Sequence, residues 1–332
     1  MLQKNKQQII QETDSSEQES ILGEKRKTRK KQPPKGSRWM ILILFLLTLV
    51  VTGIFYLKTA LPPLWQKWTA PLIISNVKPE DKFDASSVLA EIQNLTKDLR
   101  GKYGFYVYEL KDNNSYGLYQ NEVFPSASLM KLPVILCFYQ EVEKGNLSLI
   151  GEYSLKEKDK VSGAGILQGK TVGTTYTYQQ LIEYMGQYSD NTAFKVMRGI
   201  LTDEKIQKTI DKLGMKNTSL VNFETSPEDI GLFFKELYQG EIISDLHKDS
   251  LLKFLTKTAF ENWLPAGLPK DIKIAHKIGK DIGTFSDGGI VFTDKPYVIV
   301  VMSKDAKETE ANEFLPKING SVWEWENSVK SL

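Results

Sequence analysis

A serine becomes a nucleophile when a neighbouring base accepts its proton, and that base is ordinarily a histidine or a lysine of lowered pKa. The chain holds two histidines. His247 falls in an amphipathic helical pattern and His276 in a strand pattern, and no G-x-S-x-G turn accompanies either. The lysine route calls for S-x-x-K on a helix, where a spacing of three puts both side chains on one face. The pattern occurs at Ser75 with Lys78, Ser128 with Lys131 and Ser250 with Lys253. Pro79 follows Lys78 directly and disfavours the helix that would align the first pair. The third pair heads a helical pattern but has no supporting element at a useful spacing. Ser128 opens the apolar stretch SLMKLPVILCFY just after Phe124 and Pro125. Its backbone N–H is expected at the positive end of a helix dipole, where an oxyanion is stabilised.

Two further motifs follow in order. Ser189-Asp190-Asn191 lies 61 residues after Ser128, and Lys277-Ile278-Gly279 lies 88 residues after Ser189 on a strand pattern. Either motif alone has an ordinary structural reading. In SDN, Ser189 can cap the helix that continues into TAFKVM, and K-x-G recurs at Lys102 and at Lys212. In this order S-x-x-K, SDN and K-x-G resemble the signature of the class A β-lactamase-related serine hydrolases, which include penicillin-binding proteins. The likeness runs from about Phe83 to the C-terminus and includes VSGAGILQ at 161–168, TYTYQQLIEYMGQYSDNTA at 175–193, LPAGLP at 264–269, AHKIG at 275–279 and DGGIVF at 287–292.

The resemblance implies roles. Ser128 would attack an amide or lactam carbonyl, with Lys131, kept neutral by a second cation nearby, as one candidate base. Ser189 would relay a proton to the leaving nitrogen. Asn191 would bind the substrate's side-chain amide, and Lys277 with Gly279 would form the strand edge that receives its carboxylate. The backbone N–H groups of Ser128 and Lys280 would make the oxyanion hole. Two departures stand out. Ile278 occupies the position where the family usually has Thr or Ser to help hold the carboxylate. Only ten residues, MKNTSLVNFE, separate Leu213-Gly214 from Thr225-Ser226-Pro227, too few for the family's long loop with its water-activating glutamate. Glu224 is the one acid in that segment and does not match the motif, so slow deacylation is expected.

The elements that must position these residues can be read from periodicity. Residues 85–100 have helical spacing, and 102–110 with 115–119 read as a hairpin around Asp112-Asn113-Asn114. Helical patterns fill 127–143, 178–185, 190–200, 203–212, 227–238 and 246–259. Strands return at 272–278, 289–292 and 297–302, and 311–329 reads as a closing helix. The expected class is α+β: an antiparallel sheet formed from both ends of the domain, flanked by helices, with an inserted all-helical subdomain. This is the β-lactamase/transpeptidase-like arrangement that the resemblance implies.

Ahead of that domain, residues 39–57 (WMILILFLLTLVVTGIFYL) carry no charge and match the length of a transmembrane helix. Lys25, Arg26, Lys27, Arg29, Lys30, Lys31, Lys35 and Arg38 precede it, so the positive-inside bias keeps the N-terminus cytoplasmic and the later residues outside, extracellular or periplasmic. Four regions follow: a disordered basic tail at 1–38, the span at 39–57, a Pro-punctuated linker at 58–82 and the hydrolase domain at 83–332. In all, 43 Lys and Arg face 41 Asp and Glu, so net charge gives no case for nucleic-acid binding. One cysteine excludes an intrachain disulfide and a multi-Cys zinc site. No cofactor or metal is expected, and the protein is expected to be monomeric. Its substrate is expected to be a β-lactam or a related amide, with a cell-wall peptide as the alternative. A further alternative is a sensor module that acylates once or not at all.

Overall fold

The structure, a computed structural model, describes residues 35–60 and 83–328, with side chains described over 39–55 and 83–328. The chain divides into two units, 1–80 and 81–332. In the first, Lys35–Ala60 forms helix α1. Its large apolar side chains from Trp39 to Phe55 are all more than half exposed. Among the described residues no helix is long and apolar enough to cross a membrane. The expected span at 39–57 runs past the last described side chain, and the rest of the expected tail and linker, 1–34 and 61–82, lies outside the described residues.

The second unit is built on a five-stranded antiparallel sheet of β1 (Lys102–Glu109), β2 (Ser115–Leu118), β7 (Lys273–Asp281), β8 (Thr284–Phe292) and β9 (Tyr297–Lys304), in the order β2-β1-β9-β8-β7. The two ends of the domain therefore meet at the β1–β9 pair, as the terminal strand patterns imply. Alternation along each strand serves two cores. On one face Phe105, Val107, Ile274, Ile278, Val291 and Ile299 pack toward helices α2 (Ser86–Thr96) and α9 (Glu308–Ser328). On the other, Tyr106, Ala275, Ile290, Val298 and Val300 pack toward the helical insertion.

At the centre of that insertion is α3 (Lys131–Glu143), where every residue from Lys131 to Tyr139 is buried. Pro133 sits in its first turn, where a missing N–H costs little. Around it stand α4 (Tyr178–Gln187), α5 (Asn191–Leu201), α6 (Asp203–Leu213), α7 (Pro227–Gln239) and α8 (Asp245–Leu255). Local chemistry sets their ends. Thr177 and Gln180 form a capping box on α4, Asp190 caps α5, Ser226 caps α7 with Pro227 in its first turn, and Gly214 closes α6 in the left-handed region.

Several boundaries differ from the periodicity: the helices expected at 85–100 and 246–259 end at Thr96 and Leu255, and two further differences lie at the site. The expected helix at 127–143 begins as a 3-10 turn, Ala127–Met130, before α3 starts at Lys131. Strand β8 starts at Thr284 rather than 289 because Thr284, Ser286 and Asp287 are buried polar residues that break the apolar alternation. The short strands β3 (Phe124–Pro125) and β6 (Glu224–Thr225) pair beside the Ser128 turn, and β4 (Glu152–Ser154) pairs with β5 (Thr175–Thr177) at the rim of the insertion.

Candidate active site

Of the two S-x-x-K pairs among the described residues, Ser128 and Lys131 line a cleft. Ser75 and Lys78 lie outside the described residues, and Ser250 sits on α8 with its Oγ 3.2 Å from the Tyr139 hydroxyl. In a 3-10 turn, residues three apart eclipse one another. That geometry brings Lys131 Nζ to 2.7 Å from Ser128 Oγ, to which it donates. Lys131 Nζ also lies 2.9 Å from Ser189 O, 3.3 Å from Ser189 Oγ and 2.8 Å from Asn191 Oδ1. Lys277 Nζ donates to Ser189 Oγ at 2.9 Å and to Ile278 O at 2.9 Å. The Ser189 hydroxyl thus stands between two amino groups. All five polar residues that the motifs single out join one network.

Burial tunes the two lysines. Lys131 is buried, and desolvation pushes its pKa down to about 8 against the opposing pull of Asp190. The cause of this shift is burial, and no second cation contributes to it. The repulsion between the two amines bears on Lys277, whose pKa is held well below its ordinary value first by burial and then by Lys131.

Backbone strain gathers here. Of the seven described non-glycine residues with positive φ, three are at the site: Ala127, Ser189 and Phe223, at 43°, 53° and 54°. Each such residue costs on the order of 1–3 kcal/mol, and residues of this kind cluster at functional sites. Gly279 lets β7 lie against the nucleophile turn, because a Cβ there would stand 2.9 Å from Ser126 O and 3.1 Å from Leu129 Cγ. Asp190, to which the sequence reading gave no role, anchors the facing loop. Its carboxylate accepts from the N–H groups of Ile166 at 2.6 Å, Leu167 at 2.8 Å and Ala193 at 2.8 Å. A Cβ on Gly165 would collide with that carboxylate.

The cleft holds about 400 Å³ and is lined by Ala127, Ser128 and Lys131, by Ser162, Gly163 and Ala164, by Asn191, Phe194 and Phe223, and by Lys280 and Asp281. Ser128 and Lys280, whose amides would form the oxyanion hole, face the same space. Asn191 Nδ2 donates to Ser162 O at 3.1 Å and has a second N–H to offer. Lys277 lies behind Ser189 rather than on the cleft wall. Ile278 also points away, into a neighbouring pocket of about 370 Å³ with Phe260, Trp263 and Lys280. Glu224 is absent from the cleft lining and pairs with Pro125 in the β3–β6 ladder.

Phe194 and Phe223 form an aromatic wall that no sequence signal marked. Their rings meet edge to face with centroids 6.0 Å apart, and the Arg198 guanidinium lies 5.4 Å from the Phe223 centroid. Behind Lys277, His276 is fully buried. Its Nδ1 lies 2.8 Å from Asp287 Oδ1 and its Nε2 lies 3.0 Å from Thr258 Oγ1. Burial opposes its charge, but Asp287 and Glu261 outweigh that, so its pKa rises to about 9. Asp287 also accepts from Leu264 N–H at 3.1 Å and so joins β7, β8 and the LPAG turn.

Comparisons with known proteins bear on the family and the fold. Residues 87–325 match the family model described as the beta-lactamase enzyme family. Beta-lactamase VEB-1 of Pseudomonas aeruginosa is 24% identical over 259 residues, which covers 70% of this chain and 86% of that protein. Among solved structures, PBP-A superposes with a TM-score of 0.69 at 27% identity over 73% of this chain and 97% of its own. A PBP-A mutant solved as an acyl-enzyme complex with penicillin G aligns equally well. A beta-lactamase from Sphaerobacter thermophilus, at 21% identity and a TM-score of 0.69 over 74% of this chain and 98% of its own, shares the fold.

Proposed function

The chain belongs to the beta-lactamase enzyme family and is a hydrolase related to the class A β-lactamases; from that premise we propose that it opens β-lactam amides through a Ser128 acyl-enzyme and releases the product slowly. The observation that carries this reading is the 2.7 Å contact between Ser128 Oγ and a buried Lys131 whose pKa is lowered to about 8. In its neutral form Lys131 accepts the Ser128 proton as Oγ bonds to the carbonyl carbon. Collapse of the tetrahedral intermediate breaks the C–N bond, and the proton passes through Ser189 Oγ to the leaving nitrogen. The Ser128 and Lys280 amides stabilise the oxyanion, where losing one donor typically costs about 100- to 1,000-fold in rate. Asn191 orients the acyl side chain.

Release of the ester needs a water and a base. Among the described cleft-lining residues, Asp281 is the one carboxylate, and it lies on β7. That scarcity of bases supports slow turnover and also suits a peptidase-like or sensor role on cell-wall peptides. Full-length protein incubated with benzylpenicillin is expected to give one adduct by intact mass, located on Ser128 by peptide mapping and abolished by Ser128→Ala. An adduct that survives Ser128→Ala would overturn the assignment.

The domain is proposed to be held outside the cell by α1, as a monomer with a cytoplasmic N-terminus. An apolar helix exposed all round is stable in hydrocarbon rather than in water. Among its described side chains the hydroxyls of Thr48 and Thr52 are satisfied within the helix, Thr48 donating to Phe45 O at 2.8 Å and Thr52 to Thr48 O at 2.7 Å, as a lipid setting requires. Protease added to intact cells should remove the hydrolase domain and leave a protected N-terminal fragment; protection of the domain would reverse the orientation.

A further inference from the structure

His276 and Lys277 are neighbours on β7, and strand alternation turns them to opposite faces of the sheet, His276 with Ile274 and Ile278, Lys277 with Ala275. Lys277 reaches Ser189 Oγ directly, at 2.9 Å. His276 reaches the same loop by a second route, through the segment 256–263 that joins α8 to the LPAG turn. Because β7 is an edge strand, this segment can pass from one face of the sheet to the other. His276 Nε2 lies 3.0 Å from Thr258 Oγ1. The next residue, Ala259, donates its N–H to Gln187 O at 2.9 Å, two residues before Ser189.

The hydrogen bonds around the ring have a definite direction. Thr258 has one hydroxyl proton, which goes to Glu261 Oε1 at 2.8 Å. Its oxygen accepts from Phe260 N–H at 3.1 Å and so meets His276 Nε2 as an acceptor. On the far side of the ring, Nδ1 donates to Asp287 Oδ1 at 2.8 Å. The imidazole is therefore a donor at both nitrogens, an imidazolium set between Asp287 of β8 and Glu261 of the segment, whose Oε1 is 3.7 Å from Nε2.

Ser189 depends on such support. It is buried, and its φ of 53° is a conformation that a non-glycine residue keeps only when its surroundings impose it. After Ser189 the chain is fixed by the facing loop, since Asp190 accepts from Ile166 and Leu167 N–H and Asn191 N–H donates to Ala164 O at 3.0 Å. Before Ser189 the Ala259–Gln187 bond supplies the matching hold.

We propose that His276 is a positioning residue for the proton relay: through Thr258 and Ala259 it holds the main chain ahead of Ser189, so that the Ser189 hydroxyl stays between Lys131 and Lys277. This rests on the Ser128 acyl-enzyme reading and deepens one step of it. In that step the C–N bond breaks and the nitrogen takes the Ser189 hydroxyl proton. Lys131, which received the Ser128 proton, returns one to Ser189 Oγ.

The leaving group separates this role from a general loss of structure, because an amine must be protonated as it departs whereas p-nitrophenolate leaves as an anion. The full-length protein is acylated with benzylpenicillin and with p-nitrophenyl acetate, and second-order rates of Ser128 modification are read by intact mass and peptide mapping. Thr258→Val keeps the side-chain shape and removes the hydroxyl. It is expected to slow acylation by benzylpenicillin by about 10- to 100-fold, the scale of a small misplacement, and acylation by the ester by less than about twofold. His276→Asn should show the same split. In a Ser189→Ala background Thr258→Val should add nothing, since no hydroxyl remains to be positioned. Equal losses with both substrates, additivity with Ser189→Ala, or an unchanged benzylpenicillin rate would each overturn the positioning role while the Ser128 reading stands. A wild type that benzylpenicillin does not acylate, or an adduct that survives Ser128→Ala, would overturn the Ser128 reading itself.

Discussion

The two walls of the cleft are built from opposite materials. On one side Ser128, Lys131 and Asn191 line the space and, with the buried Ser189 and Lys277 behind them, form a polar network in which each side chain has a hydrogen-bond partner within 3.3 Å. On the other, Phe194 and Phe223 stack edge to face, with Arg198 lying against the outer ring. On the proposed reading the polar wall supplies nucleophile, base and proton relay for making an acyl-enzyme. The aromatic wall holds no group that could deprotonate a water. The proposed imbalance between the two half-reactions rests on that difference.

The largest effect is expected on the polar wall. Lys131→Ala should slow acylation by about 100- to 10,000-fold, the usual worth of a general base. In the wild type, acylation should rise with pH through about 8, because the amine accepts the Ser128 proton only when neutral. Stopped acylation assays across pH 6 to 10 check this. A rate that is flat across that range, or that falls as pH rises, would remove Lys131 from the role of base. Stability should respond too. Between about 8 and the ordinary lysine value of 10.5, the unfolded chain binds a proton that the folded chain does not, so this residue's contribution to stability rises with pH.

A smaller effect is expected from behind that wall, where His276 and Asp287 brace β7 beneath Lys277. The His276 pKa is raised to about 9 from an ordinary value of 6.5. Its pairing is fully present below 6.5 and is lost as pH rises through about 9, a change of about 1–3 kcal/mol. Chemical denaturation at several pH values should show that loss in the wild type, and a flatter profile over the same window in His276→Asn. A variant that keeps the wild-type slope would show that another group titrates there. Between pH 8 and 9 the contributions of His276 and Lys131 run in opposite directions, so measuring single variants separately is the way to resolve them.

The polar wall was legible in the sequence and the aromatic wall was not, for physical reasons. Ser128, Lys131, Ser189 and Asn191 carry their chemistry in residue type and order, and Lys277 sits on a strand that apolar alternation exposes. The β1–β9 closure follows from strand patterns at both ends of the domain. Asp190 could have been found as a helix cap, but its bonds to Ile166 and Leu167 span more than twenty residues and leave no local trace. The cause of the Lys131 shift was misjudged because burial is a tertiary property. Phe223 had no signal at all, since a left-handed phenylalanine is unfavourable in isolation and persists only when the surrounding structure imposes it. The same limit hid the outward turn of Ile278 and the place of Lys280 between two pockets.

The smallest effect tests the aromatic wall directly. Phe223 sits at φ 54°, where asparagine is far better tolerated than a bulky aromatic. Its carbonyl accepts the Ser126 N–H at 2.8 Å, a main-chain bond that any side chain preserves. Phe223→Asn should therefore keep the β3–β6 pairing and the nucleophile turn while opening the wall to water. Acylation should change little, and the steady turnover after the burst of a chromogenic β-lactam should rise several-fold, because water exclusion is relieved without a base being supplied. A rise toward the rates of efficient hydrolases would mean that a base was already in place and that only access was lacking. Unchanged turnover would locate the barrier in the missing base alone and leave the aromatic wall a structural feature of the cleft.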